Sequence, residues 1–566
     1  MFNHLIMNDM KKILIFLTLV LTGVTAMAQT SVWHGGRAVW TRGAGTESDP
    51  YLLESADHLA YLAYIVNKGF DTDGLYFRLT TDIDLNGSED LQWVPIGMGS
   101  KLYSEDGCDR GKPGSIYNAV FRGHFDGGEH SISNIYIDNG LGWYSSVYGD
   151  YTGLFGTVEG KRESGEVVPA VIENLFLVSG TIKGNACGGI VGNGSKTTLV
   201  SHCWNGAAIE GRSDYDIYAG AGGIVGMNPY QVKNCYNKGD ISGCNAGGIV
   251  GISGTTGMVP CEIMECYNEG AVSGVYAGGI IGASAMPQKN SHVIIDKCYN
   301  TGDISADGSG IGGMIDIGPA ACGIAGYLYS TCGAVTNCYH AGTVSSTKDS
   351  DCVLLYSPAN DTLILQNNFY INTCGEGQGE AFTEEYMRSQ EFVDFLNSLG
   401  TGQTWALDTY NLNNGFPVLA ENLRTVEVVA SPSEGGTVTG SGTYQYGSIV
   451  TVSVVPNLDY QLDHWTKNGV EVSEELSFDF VLTEDCQLVA YLDNKGVNET
   501  NASALKVYPN PAHGQFTVEG QGVLIVSDLL GQVLRTYTLD GQRTMELPQG
   551  LYFLTLGNVT RKLVVE

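Results

Sequence analysis

Aromatic residues recur in this chain at a spacing that could present a row of rings to a ligand. Cys235-Tyr236-Asn237-Lys238-Gly239-Asp240-Ile241 returns as Cys266-Tyr267-Asn268-Glu269-Gly270-Ala271-Val272 and as Cys298-Tyr299-Asn300-Thr301-Gly302-Asp303-Ile304. Weaker copies begin at Cys203 and Cys338, and Asn368-Phe369-Tyr370 reads as a last copy with Phe in the Cys slot. Neighbours in a strand face opposite ways. If the Cys column (Cys203, Cys235, Cys266, Cys298, Cys338) points inward, then Trp204, Tyr236, Tyr267, Tyr299, Tyr339 and Tyr370 point outward. Rings with a polar tip are what sugars and partner proteins stack against, so this stripe is the ligand-binding candidate. The structural alternative is that the rings stack on one another or lie beneath a flanking loop.

Catalytic chemistry finds less to use. None of the 10 His has H-E-x-x-H spacing, and neither a G-x-S-x-G elbow nor a P-loop occurs. A polysaccharide lyase acting on uronates needs cations, yet between Arg162 and Arg388 the one arginine is Arg212. A glycosidase needs two carboxylates about 5–10 Å apart. Asp214/Asp216, Asp240 and Asp303 are available, but among 61 acidic residues some pair always meets that criterion. Asp82, Asp84 and Asp126 read as turn residues, with a calcium site as the alternative. The 14 Cys include no C-x-x-C, so no zinc or redox motif is read. Stacked, in-register thiols suit the disulfide dihedral poorly, which leaves the five-member Cys column free and buried. Cys261/Cys266 and Cys332/Cys338 are close enough in sequence to be bridged. No catalytic residue, metal ligand or cofactor site is assigned.

The elements that must position these residues follow from the repeat. Successive copies from Cys203 are 32, 31, 32, 40 and 31 residues apart, interleaved with Gly188-Gly189-Ile190-Val191-Gly192 and its copies at 222–226, 247–251 and 278–282. Such a period means a solenoid or array. The units are rich in Gly, Asn, Ile, Val and Tyr, which form strands and turns, so the expected fold is all-β: a parallel β-helix followed by two small β-rich domains. Glycine is expected to supply the positive-φ corners. Composition agrees with a folded, non-collagenous chain: 566 residues, 43% hydrophobic, 77 Gly without a three-residue period. With 29 Lys+Arg against 61 Asp+Glu the net charge is −32, which excludes a nucleic-acid partner and a polybasic mode of binding to membrane surfaces.

The paired motifs resemble the GLUG repeat, found in bacterial surface proteins and beside the zinc domain of immunoglobulin-A-cleaving metallopeptidases. Tyr76-Phe77, Asp82-Ile83-Asp84-Leu85, Trp93-Val94-Pro95-Ile96-Gly97 and the run Phe121–His130 resemble the entry to such regions, and the likeness covers roughly residues 40–420. The peptidase activity does not carry over, because the zinc motif is missing.

Residues 383–400 read as one amphipathic helix, and Trp405 with Asn414–Leu419 as the closing cap of the solenoid, so the β-helix region spans 29–424. Residues 425–493 resemble the divergent internalin B-repeat-like domain, which implies a spacer or adhesion role; Trp465 is read as core. Residues 494–504 are a polar linker. Residues 505–566 are similar to the type IX secretion C-terminal sorting domain through Tyr508-Pro509-Asn510-Pro511, Asp528 with Gly531, Gly550-Leu551-Tyr552 and Lys562. That likeness implies the type IX secretion machinery of a Bacteroidota-type cell, removal of the domain by a sortase, and attachment to surface lipopolysaccharide or release. At the other end, Lys11 and Lys12, the apolar run Ile13–Val24 and the site Ala26-Met27-Ala28 form a signal peptide, with Gln29 starting the mature chain. No transmembrane segment is expected after cleavage. The expectation is a surface protein of adhesin type with a glycan or host-protein ligand; the alternatives are a secreted carbohydrate-active enzyme and a ligand-free stalk.

Overall fold

A computed structural model describes residues 30–98, 119–138, 151–211, 219–253, 259–284, 291–307, 318–329, 331–356, 363–400, 403–494, 505–557 and 559–566. The signal peptide with Ala26, Ala28 and Gln29, the Asp214/Asp216 pair, Arg212 and linker residues 495–504 lie outside the described residues. Two compact units emerge. The first holds the chain up to Ser431 with 438–455 and 464–491; the second holds 432–437, 456–463 and 492–566.

In the first unit each repeat makes one coil of a parallel solenoid. A coil contributes a strand to each of four sheets, as in Gln231–Lys233, Tyr236–Asn237, Ile241–Gly247 and Val250–Ser253. The next coil lies directly on it, pairing Val232 with Ile263, Tyr236 with Tyr267, Ile241 with Val272 and Val250 with Ile281. Stacking of this kind builds sheets of 11, 10, 12 and 7 strands. Because every strand repeats its predecessor's side chains, the interior is a set of like-on-like columns, such as Val200, Val232, Ile263, Ile295 and Val335, all buried.

Two expectations need correction here. The last copy is slipped by one residue: Tyr339 pairs with Phe369 and His340 with Tyr370, so Asn368 takes the Cys slot, 30 residues after Cys338. Tyr370 therefore turns inward and joins the solenoid core. The glycines of the G-G-I-V-G motif do not make positive-φ corners. Those corners belong to the residue before each Cys slot: His202, Asn234, Glu265, Lys297, Asn337 and Asn367, with φ of 51–55°. Asn favours this conformation because its short polar side chain bonds locally. The motif's glycines provide close approach instead. A Cβ on Gly188, Gly222, Gly247 or Gly278 would sit 1.9–2.2 Å from the carbonyl oxygen three residues on.

Cysteine pairing also differs from the sequence expectation. Cys261, Cys266, Cys332 and Cys338 are not disulfide-bonded, and among the described residues a disulfide joins Cys352 to Cys374. The five-member column is free and buried as expected.

Helices flank the solenoid at both ends of its sequence. Helix α1 (Ala56–Asn67) begins at Ser55, whose hydroxyl accepts from His58 N, and buries Leu59, Leu62, Ala63 and Val66 in the core with Trp33 and Trp93. The single helix expected over 383–400 is two, α2 (Glu384–Met387) and α3 (Gln390–Ser398). Ser389 separates them: its extended backbone and its hydroxyl, which accepts from Phe392 N, start a new helix rather than continue the old one. Residues 423–494 form a five-stranded and a three-stranded sheet with Trp465 fully buried.

The C-terminal strands of the second unit form one antiparallel sheet. Gln515–Ser527 pairs with Lys506–Tyr508, Val533–Glu546 and Gly550–Leu556, and Val559–Val565 pairs with Gly550–Leu556. Phe516, Leu524, Val526, Leu554 and Leu563 are its core.

Candidate functional site

The aromatic stripe exists and its rings stack. Trp204–Tyr236, Tyr236–Tyr267, Tyr267–Tyr299 and Tyr299–Tyr339 have centroids 5.5, 4.8, 4.7 and 5.1 Å apart with planes within 5° of parallel. Phe176 precedes Trp204 and Phe369 follows Tyr339 in the same sheet. Coil spacing sets the ring spacing, because in-register strands repeat about every 4.8 Å.

An open ligand platform, however, is not what the stripe makes. Trp204, Tyr236, Tyr267, Tyr299 and Tyr339 are at most 7% exposed. The chain that leaves the last coil runs back over them. Phe392 of α3 meets Phe369 and Tyr339, Trp405 meets Tyr339 and Tyr299, and Tyr446 meets Phe176. Hydroxyls fasten this cover: Tyr236 Oη donates to Tyr446 O at 2.7 Å and Tyr339 Oη to Pro417 O. The segment expected to close the solenoid's end, Trp405 and Asn414–Leu419, thus covers its side. Burying large aromatic faces stabilises by about 25 cal/mol per Å² removed from water, and ring pairs add about 0.5–1.5 kcal/mol each. Five of the six candidate residues, Trp204, Tyr236, Tyr267, Tyr299 and Tyr339, belong to a second hydrophobic core, and Tyr370 belongs to the main one.

A second ladder lies on the inner side of the same strands. Asn205 Nδ2 donates to Asn237 Oδ1, Asn237 to Asn268 and Asn268 to Asn300 at 2.7–2.8 Å, and each amide also donates to the carbonyl two residues on. Asn300 Nδ2 meets His340 Nδ1 at 2.9 Å, ending the row. The second glycine of each G-G pair makes room for it. A Cβ on Gly189, Gly223, Gly248 or Gly279 would lie 2.4–2.6 Å from the facing Asn side chain, and one on Gly323 would lie 2.4 Å from His340. These Asn residues were not singled out from sequence. The available signal was their place two residues after each Cys, hence on the Cys side of the strand, where a buried amide must find partners.

The remaining sequence candidates resolve into structural roles. Asp84 accepts from Asn86 N at 2.7 Å and Asp126 from Gly128 N at 2.9 Å, as turn residues do, whereas Asp82 accepts from Ser131 N at 2.7 Å on a neighbouring coil. Burial pushes the Asp82 carboxyl up, but bonds from His130 and Ser131 outweigh it and hold the group below its ordinary value. Asp240 and Asp303 accept from Ala271 N and Thr343 N on the following coil. Burial raises the thiols of Cys235, Cys266 and Cys298 well above their ordinary range, so they are unreactive as nucleophiles. Among the described residues no group of three His, Cys, Asp or Glu could hold a metal.

In the C-terminal sheet the motif residues converge. Asn510 Nδ2 donates to Lys562 O at 2.6 Å and its Oδ1 accepts from Val564 N at 2.9 Å, tying the Tyr508-Pro509-Asn510-Pro511 segment to the last strand. Asp528 Oδ1 accepts from Leu530 N and Gln532 N around Gly531, whose φ is 79°. Tyr552 Oη donates to Pro548 O, across the turn that Gly550 closes.

Comparison with known proteins assigns two of these segments. Residues 506–566 match the secretion system C-terminal sorting domain, and residues 426–494 the divergent InlB B-repeat domain. The chain is therefore an exported protein delivered by type IX secretion to the cell surface or beyond. No helix among the described residues is long and apolar enough to cross a membrane. A "Putative Gly-rich membrane protein" of Evansella cellulosilytica is 28% identical over 165 residues, 29% of this chain and 15% of that protein. Halomucin of Haloquadratum walsbyi is 31% identical over 162 residues, 29% of this chain and 2% of that protein. The chain thus spans a small part of the curated relatives it matches. The crystal structure of a "putative immunoglobulin A1 protease" from Bacteroides ovatus is similar at 18% identity and a TM-score of 0.38, covering 67% of this chain and 94% of that one.

Proposed function

We propose that this protein is a surface-displayed binding protein of adhesin type, whose GLUG-repeat solenoid presents its outer faces to a glycan or a matrix protein. The observation that carries the reading is the join between solenoid and following module. Gln445, the last residue of the strand Gly442–Gln445, and Tyr446 after it bond to Lys238 and Tyr236 of the solenoid, and Glu421 accepts from Asn234. These bonds make the solenoid and the start of the following module one packed body within the first unit. On this reading a sortase removes the sorting domain near the linker, and the remainder is attached to surface lipopolysaccharide or released. Deleting 505–566 should strand the protein in the periplasm, and normal surface display of the deleted form would refute the route. Saturable capture of a polymer by the secreted chain supports the binding role; release of shortened polysaccharide would favour a carbohydrate-active enzyme instead.

A further inference from the structure

Lys238 and Glu269 hold the same position in consecutive repeat copies, so the coil stacking that pairs Asn237 with Asn268 sets them side by side. Backbone bonds fix both, with Lys238 N donating to Asn205 O at 2.8 Å and Glu269 N to Asn237 O at 2.9 Å. Their side chains meet, Lys238 Nζ lying 3.5 Å from Glu269 Oε2. A third group arrives from the following module. Gln445 ends the strand Gly442–Gln445, pairs with Leu423 and is only 2% exposed. Its amide bridges the charged pair: Lys238 Nζ donates to Gln445 Oε1 at 2.9 Å, and Gln445 Nε2 donates to Glu269 Oε1 at 3.2 Å. An ammonium can only donate and a carboxylate only accept, so the two neighbours fix which end of the amide is which.

Ordinary surface pairs such as Lys161–Asp73, Lys183–Glu210 and Lys506–Glu519 bring a lysine to a carboxylate. Lys238 has a carbonyl as well. A nitrogen hydrogen-bonded to an amide oxygen is within reach of the carbonyl carbon, the geometry from which an amine attacks. Glu269 touches both nitrogens, the amine that must lose protons and the amide nitrogen that must gain one. That is the place of a general base that later serves as general acid. The buried side is closed by the Tyr236 ring, 5.7 Å from Lys238 Nζ, and by Tyr446, whose carbonyl accepts from Tyr236 Oη. Lys238 itself is 38% exposed, which leaves a small product a way out.

We propose that Lys238 and Gln445 join in an intramolecular isopeptide bond, formed by the chain itself with Glu269 as its catalytic base and acid. Glu269 takes a proton from the Lys238 ammonium, and the freed amine attacks Gln445 Cδ. The Nζ–Cδ bond forms and the Cδ–Nε2 bond breaks. Lys238 gives up two protons in all: one completes the leaving ammonia, and the other departs with it as ammonium. The products are a secondary amide, one ammonium ion and the Glu269 carboxylate restored, with no oxidant or reductant. The bond closes a loop between residues 207 apart and fastens the strand that carries Tyr446 over the aromatic stack. It is independent of what the solenoid binds.

Peptide mapping of the full chain tests it, after purification, denaturation, reduction of the disulfide and digestion with trypsin. Trypsin does not cut after a lysine whose amine is acylated. The expected product is therefore a branched peptide joining residues 234–289 to 425–467, lighter than the two separate peptides by one ammonia. The branched peptide is the readout rather than whole-chain mass, because an N-terminal glutamine such as Gln29 also releases ammonia when it cyclises. Nearly all wild-type chains should carry the branch, and it should be lost from K238R and from E269Q with far-ultraviolet circular dichroism unchanged. On a denaturing gel the looped wild type should run ahead of both variants. Cleavage after Lys238 in the folded wild type, with the peptides recovered as separate linear species, overturns the proposal, and this result needs no variant to fold. A branch that forms as fully in E269Q overturns the self-catalysed route.

Discussion

Replacing His340 by asparagine should complete the internal amide ladder and remove a pH sensitivity of the fold. His340 is fully buried, and its Nδ1 accepts from Asn300, so Nε2 carries the proton. That Nε2 has no hydrogen-bond partner. Burial pulls the imidazole from an ordinary 6.5 down to about 4, against weaker upward effects of the Asn300 backbone, Asp303 and the Gly342 backbone. Between those values the unfolded chain takes up a proton that the folded chain refuses, so stability falls as pH falls. At 1.36 kcal/mol per pKa unit, the wild type loses about 3 kcal/mol from this group between neutral pH and pH 4. H340N has no such group, and Gly323 leaves the same space that Gly279 leaves for Asn300. At neutral pH the gain is smaller. Relief of the orphan N–H is worth about 1–3 kcal/mol, and the smaller side chain gives back part of it as a cavity. Urea unfolding followed by far-ultraviolet circular dichroism at pH 7, 5.5 and 4 measures the difference between the two proteins and cancels the other titrations. The advantage of H340N should grow by about 3 kcal/mol toward pH 4. A difference that stays constant across that range would refute a buried neutral imidazole at this position.

Four further substitutions probe the ladders and the last coil. Tyr267 Oη is buried without a partner whereas Tyr236 Oη donates to Tyr446 O, so Y267F should raise urea stability by up to about 1 kcal/mol and Y236F lower it by about 1 kcal/mol; equal effects would contradict the assigned bonds. A Cβ on Gly248 would lie 2.2 Å from Gly279 O, and G248A should cost several degrees of thermal midpoint, with no change if coils stack more loosely. Removing the Cys352–Cys374 bridge, which spans 22 residues, with C374S should cost about 2–4 kcal/mol, read as earlier proteolysis near the last coil; unchanged cleavage would show the bridge to be dispensable.

Alternation along one strand was legible, because Cys, Tyr and Asn are consecutive and must face in, out and in. What covered the outward rings was not. Phe392, Trp405 and Tyr446 lie tens to hundreds of residues beyond the rings they bury, in segments that carry no repeat. The slip at Asn368 arose because Phe369 is an apolar residue that could fill a Cys slot; only pairing with Tyr339 distinguishes the two registers. Glycines looked like corners since positive φ is their commonest service, yet here the missing Cβ admits Asn205, Asn237, Asn268 and Asn300. Helix α1 left a signal that a strand-centred reading passes over: Ser55 as cap, then Leu59, Leu62, Ala63 and Val66 at helical spacing.

The surface-binding role is tested most directly by probing an array of glycans and matrix proteins with the secreted full chain. Saturable capture by at least one polymer, with no shortened product released, is the expected result. Absence of capture across the array, or release of product from the captured polymer, would contradict it.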